Sequence, residues 1–150
     1  MAEVGLLPIK KGSTVPEATI LIVDDEKPFC YAVAEVIDQI GHHETLIANS
    51  VPEALELLEM RLPDLILLDL VMPNTNGLDL ASMLRSKDAW ASIPIVALSA
   101  DTRPETKISA LTAGANCFLP KPFTIDELRI IIQPFLLEKS CNRASDTEAG

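Results

Sequence analysis

The sequence predicts a doubly wound α/β fold: a five-stranded parallel sheet covered by helices on both faces. Three observations predict it. Short apolar runs without polar alternation recur along the chain, as expected of strands buried on both sides. Segments with helical spacing separate these runs, and proline, glycine or capping residues stand at the junctions. Length agrees, since 150 residues at 48% hydrophobic content suffice for one domain with a core.

Residues 1–17 contain Gly5, Pro8, Gly12 and Pro16 without periodicity and are expected to form a flexible leader, with the folded domain spanning 18–138. The first strand is Thr19-Ile20-Leu21-Ile22-Val23, ending in Asp24-Asp25-Glu26. Phe29, Val33, Val36, Ile37 and Ile40 then recur at helical spacing up to Gly41. Glu44 to Ala48 reads as the second strand. Ser50-Val51-Pro52-Glu53 opens a helix through a capping box, with Leu55, Leu58 and Leu62 as its expected buried face and Pro63 as its stop.

The third strand carries the pattern furthest, because Leu65-Ile66-Leu67-Leu68 delivers Asp69 to its C-terminal end before Pro73 forces a turn. Gly77 begins a helix with Leu80, Met83 and Leu84 expected inward, closing near Asp88. Trp90 falls in the polar loop that follows and is expected to be partly exposed. Pro94 to Ser99 forms the fourth strand. A helix from about Arg103 to Ala113, with Ile108 and Leu111 expected inward, stops at Gly114. Asn116 to Leu119 is the fifth strand, and Thr124-Ile125-Asp126-Glu127 caps the last helix. Pro134 is expected to kink or end that helix, and residues 139–150 to form a mobile polar tail.

Five alternations of strand and helix make right-handed crossovers the economical topology, a (βα)5 unit with the flavodoxin-like order 2-1-3-4-5. In that order the first and third strands are neighbours at the topological switch point. Asp24, Asp25 and Asp69 therefore converge on one crevice, at the sheet edge where open α/β folds bind ligands.

Charge narrows the function. Twelve Lys and Arg face 22 Asp and Glu, a net charge of -10, and phosphate contacts to nucleic acid need clustered cations instead. Cys30, Cys117 and Cys141 are odd in number and irregular in spacing, which suggests neither a disulfide framework nor a zinc site and fits a reducing, cytoplasmic setting. No apolar stretch reaches the roughly 18 residues of a membrane span, and the N-terminus lacks signal-peptide order. His42-His43 follows Gly41 at a helix end, where histidine complements the dipole.

Three converging carboxylates repel one another, and a hard divalent cation with oxygen ligands relieves the repulsion. Mg²⁺ fits, since it uses few protein carboxylates and completes its shell with water or a phosphate. Ser99 and Lys121, at the ends of the neighbouring strands, supply a hydroxyl and a cation able to reach phosphate oxygens. With charge neutralised this way, Asp69 can act as a nucleophile and become an aspartyl phosphate.

With these residues so spaced, the sequence closely resembles the receiver domain of two-component response regulators, of the single-domain chemotaxis type. The matching pieces are Ile22-Val23-Asp24-Asp25-Glu26, Leu67-Leu68-Asp69-Leu70-Val71-Met72-Pro73 with Gly77, Ala97-Leu98-Ser99-Ala100, and Phe118-Leu119-Pro120-Lys121-Pro122-Phe123, over roughly residues 18–138. The resemblance implies that Asp69 accepts a phosphoryl group from a histidine kinase or phosphotransfer protein. It implies Asp25 as a direct Mg²⁺ ligand, Asp24 as one acting through water, and Val71 as the source of a backbone carbonyl ligand. Ser99 would be the switch hydroxyl, Phe118 the aromatic that turns inward behind it, and Lys121 the phosphate-binding lysine, followed by a cis Lys121–Pro122 peptide. Readout would use the fourth helix, fifth strand and fifth helix, with a homodimer as a further assembly.

The sequence reading is thus a phosphorylation-dependent switch expected to act in trans on a partner protein, since the polar residues after the last helix are too few for an effector domain, unless the chain is a piece of a longer regulator or hybrid kinase. The alternatives are a phosphorelay intermediary, an interaction module that is never phosphorylated, and a Mg²⁺-dependent aspartyl-phosphate hydrolase. The hydrolase needs an acid two residues after its nucleophile, and Val71 stands there. The sequence departs from the family where Asn76 precedes Gly77 in place of the frequent aspartate, and in having apolar Val71, which cannot orient an attacking water.

Overall fold

The computed structural model describes residues 17–73 and 75–149, and gives the backbone alone for residue 75 and residues 138–149. The expected leader lies outside the described residues up to position 16. The elements are β1 (Ala18–Val23), α1 (Lys27–Ile40), β2 (His43–Ala48), α2 (Val51–Met60), β3 (Leu65–Asp69), α3 (Gly77–Ser86), β4 (Ile95–Ser99), α4 (Pro104–Ala113), β5 (Cys117–Pro120) and α5 (Ile125–Ala149). A short antiparallel hairpin pairing Val71–Met72 with Thr75–Asn76 follows β3.

All five main strands are parallel, in the order β2-β1-β3-β4-β5. This is the predicted 2-1-3-4-5 arrangement. Successive side chains on each strand enter opposite layers, as the pleat requires. Leu21, Val23, Ile66, Leu68 and Ala97 pack with Ala54, Leu58, Leu80 and Leu84 of α2 and α3. Ile20, Ile22, Leu65, Leu67, Val96 and Leu98 pack with Cys30, Val33 and Ile37 of α1 and with Leu128 and Ile132 of α5. Each fully buried Leu or Ile contributes on the order of 1.5–3 kcal/mol, so the continuous apolar runs serve both layers at once.

The caps follow the sequence closely. Glu53 N donates to Ser50 Oγ at 3.2 Å, while Glu53 Oε1 accepts from Asn49 N, one residue before the cap. At α5 the box is reciprocal: Glu127 N donates to Thr124 Oγ1 at 3.0 Å and Thr124 N to Glu127 Oε1 at 2.8 Å.

Several packing expectations are corrected. Trp90 is 4% exposed, because the turn after α3 folds back into the core and leaves the ring face to the Lys87 ammonium, 4.6 Å from the centroid. Met83 and Leu62 are largely exposed, as are Ile108 and Leu111 of α4. The residues of α4 that turn inward are instead Thr106, Ala110 and Ala113, with Ala110 fully buried. Small side chains let that helix lie close to the sheet while its larger ones face out.

The helix α5 also runs past Pro134 to Ala149, through residues expected to be a mobile tail. Pro134 is exposed, on the side of the helix that carries the exposed Ile130. The carbonyl of Ile130, deprived of its usual donor, therefore faces water, while Ile132 and Leu136 hold the inner face to the sheet.

One glycine is fixed by close approach. A Cβ on Gly77 would run into the Asp69 carbonyl oxygen and stand 2.8 Å from Leu70 Cα, because Gly77 N donates to Leu70 O and folds the hairpin back on the end of β3. Both obstacles are backbone and cannot rotate away. Gly77→Ala is expected to destabilise the fold by about 2–3 kcal/mol in urea denaturation; an unchanged midpoint would show that the hairpin is not held this tightly.

Candidate functional site

Strand register builds the site. Val23 lies opposite Leu68 and Asp69 opposite Leu98, so Asp24 and Asp69 leave adjacent strands at one level, while Ser99 stands opposite Pro120, next to Lys121. Asp25, Glu26, Asp69, Val71, Ser99, Asp101 and Lys121 line one open crevice at this edge.

Asp24 is fully buried, yet its carboxylate is satisfied. Oδ1 accepts from Glu26 N at 2.9 Å and Oδ2 from Lys121 Nζ at 2.7 Å. Its backbone is fixed from behind, where the Asp24 carbonyl accepts from Asn49 Nδ2 at 2.9 Å and from the Cys30 thiol at 3.3 Å. Burial and the Asp24 charge push that thiol up to about 11, so it remains a neutral donor.

Asp69 is 6% exposed, and its Oδ1 accepts from Val71 N at 3.3 Å. Lys121 Nζ reaches its Oδ2 at 3.8 Å and Glu26 Oε1 at 3.9 Å. Burial pushes the Asp69 carboxyl up to about 6; the charges of Asp24 and Asp25 add to this, while Lys121 and the Val71 amide oppose it. One lysine therefore stands against three crowded acids.

Oxygens from Asp24, Asp25 and Asp69 lie within 4.8 Å of one another. An all-oxygen donor set with excess negative charge and one exposed member fits a hard divalent cation that keeps waters in its shell, as Mg²⁺ does. The Val71 side chain is 69% exposed and brings no donor to the crevice.

The hydroxyl of Ser99 is buried and accepts from Asp101 N at 3.0 Å. The Asp101 carboxylate in turn accepts from Arg103 N, from the Arg103 guanidinium and from Thr106 Oγ1, which holds it well below the usual carboxylate range. This clip ties the strand end to the first turn of α4. Phe118 is half-buried against the core layer shared with α2 and α3. The Lys121–Pro122 peptide is cis, as expected.

The three acids, Ser99 and Lys121 were thus legible in the sequence, whereas Asn49, Asp101 and Phe29 were not. Asp101 carried a signal, since an acid two residues before an Arg-Pro helix start can cap that start. Phe29 carried none beyond core spacing, although Lys121 Nζ stands 4.1 Å from its ring centroid. The His42-His43 pair lies at the opposite sheet edge, beside the start of β1, with His42 O accepting from Glu17 N at 2.7 Å.

The raised Asp69 carboxyl sets a pH dependence. The folded chain holds that proton more tightly than the unfolded chain, whose carboxyl titrates near 3.8, so this group costs stability increasingly from about pH 4 to 6 and fully above that. Without divalent cation at pH 8, Asp69→Asn is expected to stabilise the fold by about 1–3 kcal/mol, a gain that disappears below pH 4. Equal effects at pH 4 and pH 8 in thermal melts would contradict this electrostatic origin. Added Mg²⁺ at pH 8 is expected to raise the melting temperature of the native chain and not that of Asp25→Asn.

A family model described as the response regulator receiver domain matches residues 20–133. The phosphate regulon transcriptional regulatory protein PhoB of Pseudomonas aeruginosa is 40% identical over 110 residues, which are 73% of this chain and 48% of that protein. The KDP operon transcriptional regulatory protein KdpE of Escherichia coli is 34% identical over 127 residues, 85% of this chain and 55% of that protein. The chain spans about half the length of the curated relatives it matches. Among solved structures, a putative response regulator from Chloroflexus aurantiacus has a TM-score of 0.76 at 32% identity, covering 82% of this chain and 99% of that one. Chemotaxis protein CheY4 of Vibrio cholerae has a TM-score of 0.74 at 29% identity, covering 79% and 98%. The family match begins inside β1 and ends inside α5, crossing every strand end that contributes to the crevice, and the chain belongs to the response regulator receiver domains of two-component signalling.

Proposed function

We propose that this chain is a phosphorylation-dependent switch that takes a phosphoryl group on Asp69 from a histidine kinase or phosphotransfer protein and signals to a partner protein. The observation that carries the reading is the placement of Asp69: nearly buried, crowded by two further carboxylates, and reached by the ammonium of Lys121. Such a carboxylate is too crowded to be a passive surface charge, and its exposed neighbour Asp25 leaves the crevice open to a donor.

Asp24, Asp25, Asp69 and the Val71 carbonyl would hold Mg²⁺, which neutralises the acids and draws charge from phosphoryl oxygens when bound. The chain's own residues do the rest. An Asp69 oxygen attacks phosphorus; the new O–P bond forms as the donor's N–P bond breaks, and the departing imidazole nitrogen keeps the electron pair and is reprotonated. Lys121 moves its donors from carboxylate toward phosphoryl oxygens.

Ser99 is positioned to answer that charge. A bond from its hydroxyl to the phosphoryl group is worth about 1.5–3 kcal/mol, enough to bias a two-state equilibrium about 10- to 100-fold. Ser99 already anchors the Asp101 clip, so its rotation bears directly on the start of α4. That helix buries only Ala110 completely, and so small a buried face suits an element that must shift. Its exposed Ile108 and Leu111, with Ile130 of α5, supply apolar surface for a partner on the α4–β5–α5 face. Phe118 lies beneath that face and turns inward in the switched state.

Incubation with Mg²⁺ and acetyl phosphate is expected to add one phosphoryl group by intact mass, and Asp69→Asn to abolish the gain. An unchanged gain in that variant would sink the assignment, and repeated turnover without a lasting adduct would favour a hydrolase. Because Val71 cannot orient water, the adduct is expected to persist for minutes or longer and Val71→Asn to shorten its life; loss within seconds in the native chain would contradict this role.

A further inference from the structure

Lys121 presents a difficulty that its ion pairs do not resolve. Its ammonium sits 2.7 Å from Asp24, yet to serve an incoming phosphoryl group it must leave that carboxylate without leaving the crevice. A lysine side chain is flexible, and beyond its ion pairs the residue is pinned through its backbone, Lys121 N donating to Ser99 O at 2.8 Å.

A ring also lies against the ammonium. Lys121 Nζ lies 4.1 Å from the centroid of Phe29, in the first turn of α1. That ring is itself fixed, meeting Phe123 edge-to-face with centroids 5.8 Å apart and planes at 77°. Phe123 is two residues beyond Lys121, across the cis peptide to Pro122. The lysine and the edge that steadies its platform thus belong to one short segment after β5, and the platform comes from α1.

We infer that Phe29 is a positioning residue for Lys121: its π face, braced by Phe123, holds the ammonium at the crevice while the N–H donors pass from Asp24 to phosphoryl oxygens. The inference rests on the phospho-acceptor reading of the site. An aromatic face attracts a cation without a directional acceptor, so the lysine can rotate its donors while staying on the ring. Carboxylates alone offer no such support, because in the loaded site they are engaged elsewhere.

The test replaces Phe29 site-specifically with its 4-fluoro, 3,5-difluoro and 3,4,5-trifluoro analogues, which keep the shape of the ring while draining its negative face. The rate of phosphoryl gain from acetyl phosphate is expected to fall stepwise to about one-tenth across the series, with Phe29→Leu as slow as the last member and Phe29→Tyr close to the native rate. In the protein without Mg²⁺ or donor, the Lys121 ε-methylene protons are expected to resonate upfield, shifted by the Phe29 ring current, and to lose that shift in Phe29→Leu. A flat rate series in a chain that is otherwise phosphorylated would overturn the role of Phe29 and leave the switch reading standing. An absent ring-current shift would overturn it as well. Failure of the native chain to gain any phosphoryl group would remove the reading and this inference together.

Discussion

Crowded like charge at the end of a parallel sheet is the constraint on which the rest of this structure depends. Asp24 and Asp69 leave adjacent strands at the same level because the β1–β3 register allows no other placement. Neither acid is free to swing into water, since one is fully buried and the other nearly so. In isolation this would cost the fold several kcal/mol. The chain offsets part of it with one cation, two backbone amides and a short hairpin, and leaves part of it unrelieved. Burial above all, with the charges of Asp24 and Asp25 adding to it, keeps the Asp69 carboxyl raised despite these partners. An acidic cluster of this kind favours a bound divalent cation.

The loops around the site form a connected path. The Ser99 hydroxyl is tied to Asp101, Asp101 to Arg103 and Thr106, and Thr106 lies on the inward side of α4. The far end of α4 is held separately, with Arg85 donating to the Gly114 carbonyl at 3.0 Å and to Ala91 O at 3.1 Å. The helix is thus fastened at its C-terminal end to the Arg85 side chain of α3 and at its N-terminal end to the crevice.

Much of this was readable in the residues. Unbroken apolar runs such as Leu65 to Leu68 announce buried parallel strands, and an acid at the end of such a run is conspicuous because nothing in the strand itself needs it. Strand order then followed from alternation and handedness, and the acidic cluster from strand order. What was not readable depends on rotation about an axis or on distance along the chain. The α4 sequence carries its large apolar residues, Ile108 and Leu111, on the outside, since Ala110 packs closer; spacing alone cannot reveal that the smaller side chains win. Trp90 looked like a loop residue because its burial comes from a turn folding back rather than from any period. The support given by Asn49 and Phe29 crosses from other elements, and neither residue type is distinctive where it stands.

The claim at the centre is that Asp69 itself becomes the acyl phosphate. Borohydride reduces an aspartyl phosphate to homoserine, so the chain can be treated with acetyl phosphate and Mg²⁺, reduced, digested and sequenced by mass spectrometry. Homoserine at position 69 is the result this structure predicts. Homoserine at Asp24, Asp25 or any other acid, or phosphate retained on a histidine, would contradict it.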